Sequence, residues 1–353
     1  MIMQSLFQYF NTRLHFISDA ARRYEHLHEF FVGRSHSSKD VSKSEKPVIA
    51  VKSFRPQKQL VWLITGTSTG FGRRLVRSAL QRGDCVIATV RSLDADLDDE
   101  PLPEEFEKNL RRIQLDVTEG EECLKAKVDE AAAIWGRIDV LVNNAGQGLV
   151  GLSEEGGSSL YRRTFNVNVF GLIDMTTVTL PWIRESQGCI VNVGSRSAWK
   201  TELVGVGPYS ASKAAVHAFT ETLATELAQF NVRVLLVAPG AFRTEGIHSR
   251  PFFQDRPIAA YDNVRETTAQ RFASITGTQK GDPVRAMELV VDIVRGEGTA
   301  EHKPWPSHLI LGDDAIADVK AKSSKLMATL EKWESTGRAV SFDSSPVRSR
   351  SAS

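Results

Sequence analysis

Cysteine is scarce in this chain. Cys85, Cys123 and Cys189 are the full set, odd in number and too few for a disulfide scaffold, and two of them fall in strand-like runs, which fits a reducing, cytoplasmic interior. Neither sign of charge is in excess. The 44 Lys and Arg against 43 Asp and Glu give a formal charge of +1, no broad electrostatic footprint for nucleic acid. Long hydrophobic runs are missing as well, since none approaches the roughly 18 to 20 apolar residues that cross a membrane. No segment repeats at a period of about 20 to 50 residues, which excludes a solenoid. His217 and His248 lack metal-ligand spacing around them, so no zinc site is expected. What remains is a chain of 353 residues, 41% apolar and 25% charged, able to bury one large core and suited to a small-molecule ligand.

The ends differ from the middle. Residues 1–58 carry ten Lys and Arg against five Asp and Glu, and Met3, Leu6, Phe7, Phe10, Leu14, Ile17 and Tyr24 fall near one face of a helix. This extension, taken as residues 1–57, can be a mitochondrial presequence, a peripheral membrane contact or an ordinary helix with a Ser/Lys-rich linker. Residues 336–353 have no hydrophobic period and read as a disordered tail. Between them, over 58–335, short apolar runs alternate with helical patterns. LVWLIT, CVIATV, RIQLDV, RIDVLVNN, CIVNVGS, VRVLLVAPG and SHLILG are seven strand candidates, hydrophobic nearly throughout, as strands covered on both faces are. Helices are expected at 71–82, 119–135, 158–183, 209–230, 282–295 and 314–333. The fold class is therefore α/β: one doubly wound Rossmann-type domain with a mainly parallel seven-stranded sheet and helices on both faces. Residues 244–281 break the rhythm just after a strand's carboxyl end, which makes them a candidate substrate lid.

The first strand leads into TGTSTGFG, where Gly66, Ser68, Thr69, Gly70, Phe71 and Gly72 form a strand-to-helix turn. Glycines let the backbone approach a pyrophosphate, and the helix amino end offers unpaired N–H groups and a positive dipole. The next strand decides which dinucleotide. An acid at its end would bind a ribose 2′-hydroxyl, whereas this chain has Thr89 followed by Arg91 and Ser92, with Arg73 a second cation in the turn. That favours the 2′-phosphate of NADP(H) over NAD(H).

YSASK places Tyr209 four residues before Lys213, on one helix face, with Ala211, Ala214, Ala215, Ala218, Phe219 and Leu223 expected as the buried stripe. A phenol of pKa about 10 needs roughly 4 kcal/mol of phenolate stabilisation to reach about 7. One cation at about 4 Å in an effective dielectric of about 20 offers that much before desolvation. Protonated, the same tyrosine can donate to a developing alkoxide.

TGTSTGFG, NNAG (143–146), NVNVFG (166–171), IVNVGS (190–195), YSASK (209–213) and PGAFRT (239–244) follow one another with the spacing of the short-chain dehydrogenases/reductases, a family that residues 58–250 resemble strongly. GDPVRAMELVV with PWPSHLILGDDA looks like the fungal and bacterial branch labelled oxidoreductase or 17β-hydroxysteroid dehydrogenase-like. The resemblance implies an NADP(H)-dependent alcohol dehydrogenase or carbonyl reductase. It implies Tyr209 as acid/base, Lys213 as the group that tunes it and binds the nicotinamide ribose, Asn168 as holder of a relay water, and Ser195 as the serine on the substrate oxygen. Ser195 lies fourteen residues ahead of Tyr209, one more than the family's usual spacing, and Ser197 is the fallback; Gly194 replaces a more usual serine. The resemblance further places Asp116 and Val117 beside adenine, Asn143, Ala145 and Gly146 along its ribose, and Pro239, Gly240 and Thr244 at the carboxamide. Leu149, Val150, Leu152, Phe242, Phe252 and Phe253 suggest a lipophilic carbonyl or alcohol as substrate. A β-ketoacyl-thioester reductase and a non-catalytic NADP(H) sensor are the alternatives. Family members often pair through helices matching 158–183 and 209–230, so a homodimer or homotetramer is implied.

Overall fold

The computed structural model describes residues 59–93, 102–245, 252–253 and 255–342. The basic extension, part of the expected lid and residues 343–353 of the expected tail lie outside the described residues. Strands β1 (Val61–Ile64), β2 (Cys85–Val90), β3 (Leu110–Gln114), β4 (Val140–Asn143), β5 (Cys189–Val193), β6 (Arg233–Pro239) and β7 (His308–Leu311) match the seven apolar runs. All described pairings are parallel, in the order β3-β2-β1-β4-β5-β6-β7. The order reverses between β1 and β4, so the crevice for a ligand opens at their carboxyl ends.

Alternation along β1 explains its continuous hydrophobicity. Trp62 and Ile64 point into one core, with α1 (Gly70–Gln81) and α7 (Pro283–Arg295) above it. Val61 and Leu63 point into the other, beneath α2 (Glu121–Trp135), α4 (Gly171–Ser186) and α5 (Gly207–Leu227). α7 begins where the Asp282 carboxylate accepts the N–H groups of Val284 and Arg285, 2.8 and 3.3 Å away, and stops at Gly296 in the left-handed region.

Three expectations change. The helix expected over 158–183 is α3 (Ser153–Phe165), a π turn (Asn166–Phe170) and α4, with Gly157 at φ 49° inside α3. The lid contains a helix, α6 (Asp262–Ile275). The last helix, α8 (Asp313–Arg338), runs past the expected end of the domain at 335. Among the described residues no helix is long and apolar enough to cross a membrane.

Candidate active site

The glycine turn is held by contacts that leave no room for side chains. Gly66 adopts φ 67°, and a Cβ there would lie 2.9 Å from the Ala145 Cα; one on Gly72 would lie 2.6 Å from the Asn144 amide nitrogen. The Asn144 amide donates to the carbonyls of Thr65 and Gly66 at 2.9 and 2.8 Å, and Thr65 Oγ1 accepts the N–H groups of Asn144 and Ala145 at 3.0 Å. The ends of β1 and β4 are thereby stapled together. Asn144 was not singled out from the sequence, although it stands between two residues that were. The amide of its neighbour Asn143 is turned into the core instead, donating to Thr176 Oγ1 and Asn192 Oδ1, both at 2.9 Å. Asn192 in turn donates to Thr220 Oγ1 at 3.0 Å, so a buried polar ladder ties α4, β4, β5 and α5.

An anion already sits at the amino end of α1. The Glu245 carboxylate accepts the Gly70 N–H at 2.9 Å and forms a two-point ion pair with Arg74, at 2.6 and 2.9 Å. The guanidinium and the backbone N–H hold this carboxyl far below its usual value, at about 2. The turn therefore accepts oxyanions, the chemistry a pyrophosphate requires. Thr244 lies against Gly70, 3.9 Å from where a Cβ would stand, and Phe71 meets Phe242 edge-on with centroids 5.3 Å apart. Ser68 accepts the Arg73 guanidinium on its carbonyl, which fixes that arginine to the turn. At the end of β2, Thr89 is buried while Arg91 and Ser92 are exposed. Asp116 uses one carboxylate oxygen on the Thr118 N–H and hydroxyl, at 2.9 and 2.8 Å, making a local turn; Val117 is buried against Gly171.

Two of the four catalytic candidates, Asn168 and Lys213, meet at Gly146. A Cβ on that residue would lie 3.4 Å from Asn168 Oδ1 and 3.6 Å from Lys213 Nζ. Asn168, fully buried in the π turn, accepts the Gln147 N–H at 2.8 Å and donates to the Gln147 carbonyl at 2.9 Å and Ser212 Oγ at 3.0 Å. A π turn at such a position is a frequent mark of function. Ser195 hydrogen-bonds the Tyr209 hydroxyl and accepts the backbone N–H of Ser197 on Oγ at 3.1 Å. Lys213 donates to the Val193 carbonyl at 2.7 Å, with its Nζ 5.9 Å from the Tyr209 ring centroid.

The electrostatics differ from the expectation of a phenol already tuned by its lysine. Burial raises the Tyr209 pKa, partly offset by the Ser195 hydrogen bond, and burial lowers Lys213 to about 8. Both groups lose hydration, and the ammonium is spent on a backbone carbonyl. At neutral pH Lys213 is therefore still a cation, but burial holds Tyr209 in its protonated form.

α5 buries Leu223 as expected, with Ala215 and Phe219 packed against the core, but Ala214 and Ala218 are exposed, and Ser212, Lys213, Val216, His217 and Thr220 face inward. The polar members are tolerated because each finds a partner on Asn168, Val193, Ser195 or Asn192. His217, set aside in the sequence, is one of them. Its Nε2 accepts the Ser195 N–H at 3.2 Å, its ring packs on Trp199 at 4.5 Å, and burial lowers its pKa to about 4. Gly194 is what makes space for it, since a Cβ there would meet the imidazole Cδ2 at 2.7 Å and Leu236 Cδ1 at 2.9 Å.

Beyond β6, Pro239 and Gly240 turn the chain against the first turn of α8. The Asp314 carboxylate accepts the Ala241 N–H at 2.8 Å and leaves no space for a Cβ on Gly240. Arg196, next to Ser195, pairs with Asp314 and Asp318 at 3.1 and 2.7 Å. Described residues of the expected lid pack against the segment around Val150 and Glu155. Phe253 donates its N–H to the Val150 carbonyl at 2.7 Å, and Gly205 leaves a gap bounded by Val150, Phe252 and Thr268. The Glu155 carboxylate, wholly covered, accepts the Ile258 N–H at 2.8 Å and pairs with Arg265, while Tyr261 donates to Glu154 at 2.7 Å. Asp314, Glu155 and Arg265 gave no signal in sequence because their partners lie far away along the chain.

Comparison with known proteins agrees with this geometry. The family model described as short chain dehydrogenase matches residues 60–251. A 3-ketodihydrosphingosine reductase from Bacteroides thetaiotaomicron is 35% identical over 220 residues, 61% of this chain and 74% of the relative. Oxidoreductase BOA17 of Botryotinia fuckeliana is 29% identical over 275 residues, 77% of this chain and 96% of the relative. The structure of a short-chain dehydrogenase from Streptomyces avermitilis superposes with a TM-score of 0.69 at 34% identity, covering 81% of this chain and 100% of that one.

Proposed function

We propose, for a chain that belongs to the short-chain dehydrogenase family, an NADP(H)-dependent interconversion of a lipophilic carbonyl and its alcohol, with Tyr209 exchanging the oxygen's proton. The observation that carries this reading is one linked set, Asn168 and Lys213 at Gly146, Lys213 beside the Tyr209 ring and Ser195 hydrogen-bonded to Tyr209, in a chain whose glycine turn already holds a carboxylate. The turn from Gly66 to Gly72 and the α1 amino end would hold the pyrophosphate, Arg91 and Ser92 the 2′-phosphate, and Asp116, Val117, Asn143, Ala145 and Gly146 the adenosine side. Pro239, Gly240 and Thr244 would hold the carboxamide. When bound, the nicotinamide supplies or accepts the hydride at the carbinol carbon.

Ser195 orients the substrate oxygen by hydrogen bonding, and Tyr209, protonated in the free protein, donates to that oxygen during reduction. Lys213 then stabilises the phenolate, and Asn168 anchors the route by which a proton returns. Val150 and Phe252 meet at Gly205 and Phe253 lies against Gly151, apolar groups that support a lipophilic substrate, as does the name of one relative, a 3-ketodihydrosphingosine reductase. The branch resemblance toward hydroxysteroid dehydrogenases rests on GDPVRAMELVV and PWPSHLILGDDA. Cytoplasmic residence belongs to this reading, with mitochondrial addressing by residues 1–57 as the alternative; deleting 1–55 and finding the same distribution in cells would remove the alternative.

Competition of NADPH against NADH over a panel of lipophilic ketones, sugars and β-ketoacyl thioesters tests the proposal. Preference for NADPH that falls about tenfold in Arg91→Ala, with turnover of lipophilic ketones, is expected. Preference for NADH, or cofactor binding without turnover of any carbonyl, overturns it.

A further inference from the structure

The first turns of α8 are built into the active-site rim, but the rest of the helix leaves the body. Ala315 is buried and Asp318 is pinned by Arg196, whereas Leu326, Met327, Leu330 and Trp333 are 53, 56, 59 and 57% exposed. At about 1.5 Å per residue, a helix that has lost its support should fray unless its apolar face is covered. The exposed residues are not scattered. Ile316, Val319, Leu326, Leu330 and Trp333 recur at alternating steps of three and four, or their multiple, with Ser323 filling the missing position, which is the seam of a two-helix pair.

We propose that the α8 seam is a homodimer interface in which α8 helices of two copies of this chain pack antiparallel. The direction follows from the seam's own sequence. Run antiparallel with the twofold axis near Ala328, Leu330 of one copy meets Leu326 of the other, and Trp333 meets Ser323, large against small. The flanking charges agree: Lys320 of one copy comes beside Glu334 of the other, with Met327 facing Met327 between the two ion pairs. Run parallel, the same seam sets Trp333 on Trp333 and Ser323 on Ser323, and joins no opposite charges there. A lipid surface fits less well, because Ser323 and Glu334 stand on the apolar face itself and would have to enter the acyl region.

The pairing would brace the catalytic rim. Asp314 holds Ala241 and Asp318 holds Arg196, next to Ser195, so the part of α8 fixed by a second copy continues directly into groups that shape the site. This surface is distinct from the helices over 158–183 and 209–230 through which the family resemblance implies pairing.

The test uses the full chain, with sedimentation over a range of concentrations. Leu330→Glu is expected to weaken one dimer contact by at least about tenfold, since it buries a charge in the seam. Lys320→Glu and Glu334→Lys are each expected to weaken it and, combined, to restore it. In a Cys123→Ser background, Met327→Cys is expected to form a disulfide-linked dimer on mild oxidation, and Ser323→Cys not to. Self-cross-linking of Ser323→Cys would overturn the antiparallel direction. A monomer at every concentration, association that ignores Leu330→Glu and the charge reversals, or a monomer that sediments with anionic vesicles would overturn the interface itself. Because none of these residues touches the reacting groups, failure here would leave NADPH-dependent turnover, and the function proposed above, intact.

Discussion

Replacing Gly194 by alanine would drive a methyl group to 2.7 Å from the His217 Cδ2 and 2.9 Å from Leu236 Cδ1, well inside van der Waals contact. Neither neighbour can retreat, because His217 is 5% exposed and Leu236 fully buried. Overpacking of this kind costs about 1–3 kcal/mol. The imidazole would be pushed off the Ser195 N–H it accepts, and an unpaired buried donor adds about 1–3 kcal/mol. Ser195 would move with it, and a displacement of about 1 Å at a reacting group can cost about a hundredfold in rate. Urea unfolding and steady-state kinetics of Gly194→Ala, His217→Ala and the double variant form the test. We expect both single variants to lose stability and kcat while NADPH affinity holds, and the alanine at 194 to cost much less once the imidazole is gone. The histidine also sets an acid limit. Its folded pKa of about 4 lies below an unfolded value of about 6.5, so the folded state refuses the proton. Stability from this source is complete above about pH 6.5 and declines as pH falls toward about 4, by about 3 kcal/mol in all. His217→Gln, which keeps an acceptor but cannot titrate, should lack that decline. Equal costs of Gly194→Ala in both backgrounds, or an unchanged acid slope in His217→Gln, would refute the coupling.

Glu245→Gln should tighten NADPH binding about threefold to tenfold, because the α1 amino end no longer carries a competing charge-assisted contact; fluorescence titration of the nicotinamide reads it. Glu155→Gln should raise KM for a lipophilic ketone about tenfold with a smaller change in kcat, since it unfastens Arg265 and Ile258 of the lid without touching the reacting groups; steady-state kinetics separates the two parameters. Lys213, lowered to about 8 by burial, is charged below that pH and neutral above it, so NADPH affinity of the free protein should fall as pH rises through about 8 and should be flat there in Lys213→Met.

The sheet was legible because its inner parallel strands bury both faces and read as hydrophobic runs, whereas the edge strand β3 carries Arg111, Arg112 and Gln114, and Gly83 and Gly136 close the helices where expected. The π turn at Asn166–Phe170 was not legible, since it changes hydrogen-bond partners without changing the apolar spacing around it. The polar part of the inward face of α5 was missed for a related reason. Ser212, His217 and Thr220 look like surface residues until Asn168, the Ser195 N–H and Asn192 are brought to them from other segments. Local pattern reports which residues avoid water, but not which polar groups have been supplied with partners.

The central claim is that Tyr209, hydrogen-bonded to Ser195 and backed by Lys213, passes the proton while NADPH reduces a carbonyl. Rapid-mixing measurement of NADPH oxidation by saturating lipophilic ketone, in the wild type and Tyr209→Phe, tests it most directly. The account predicts a loss of about a hundredfold to ten-thousandfold in the rate of hydride transfer with NADPH still bound. Hydride transfer at the wild-type rate in Tyr209→Phe would contradict it.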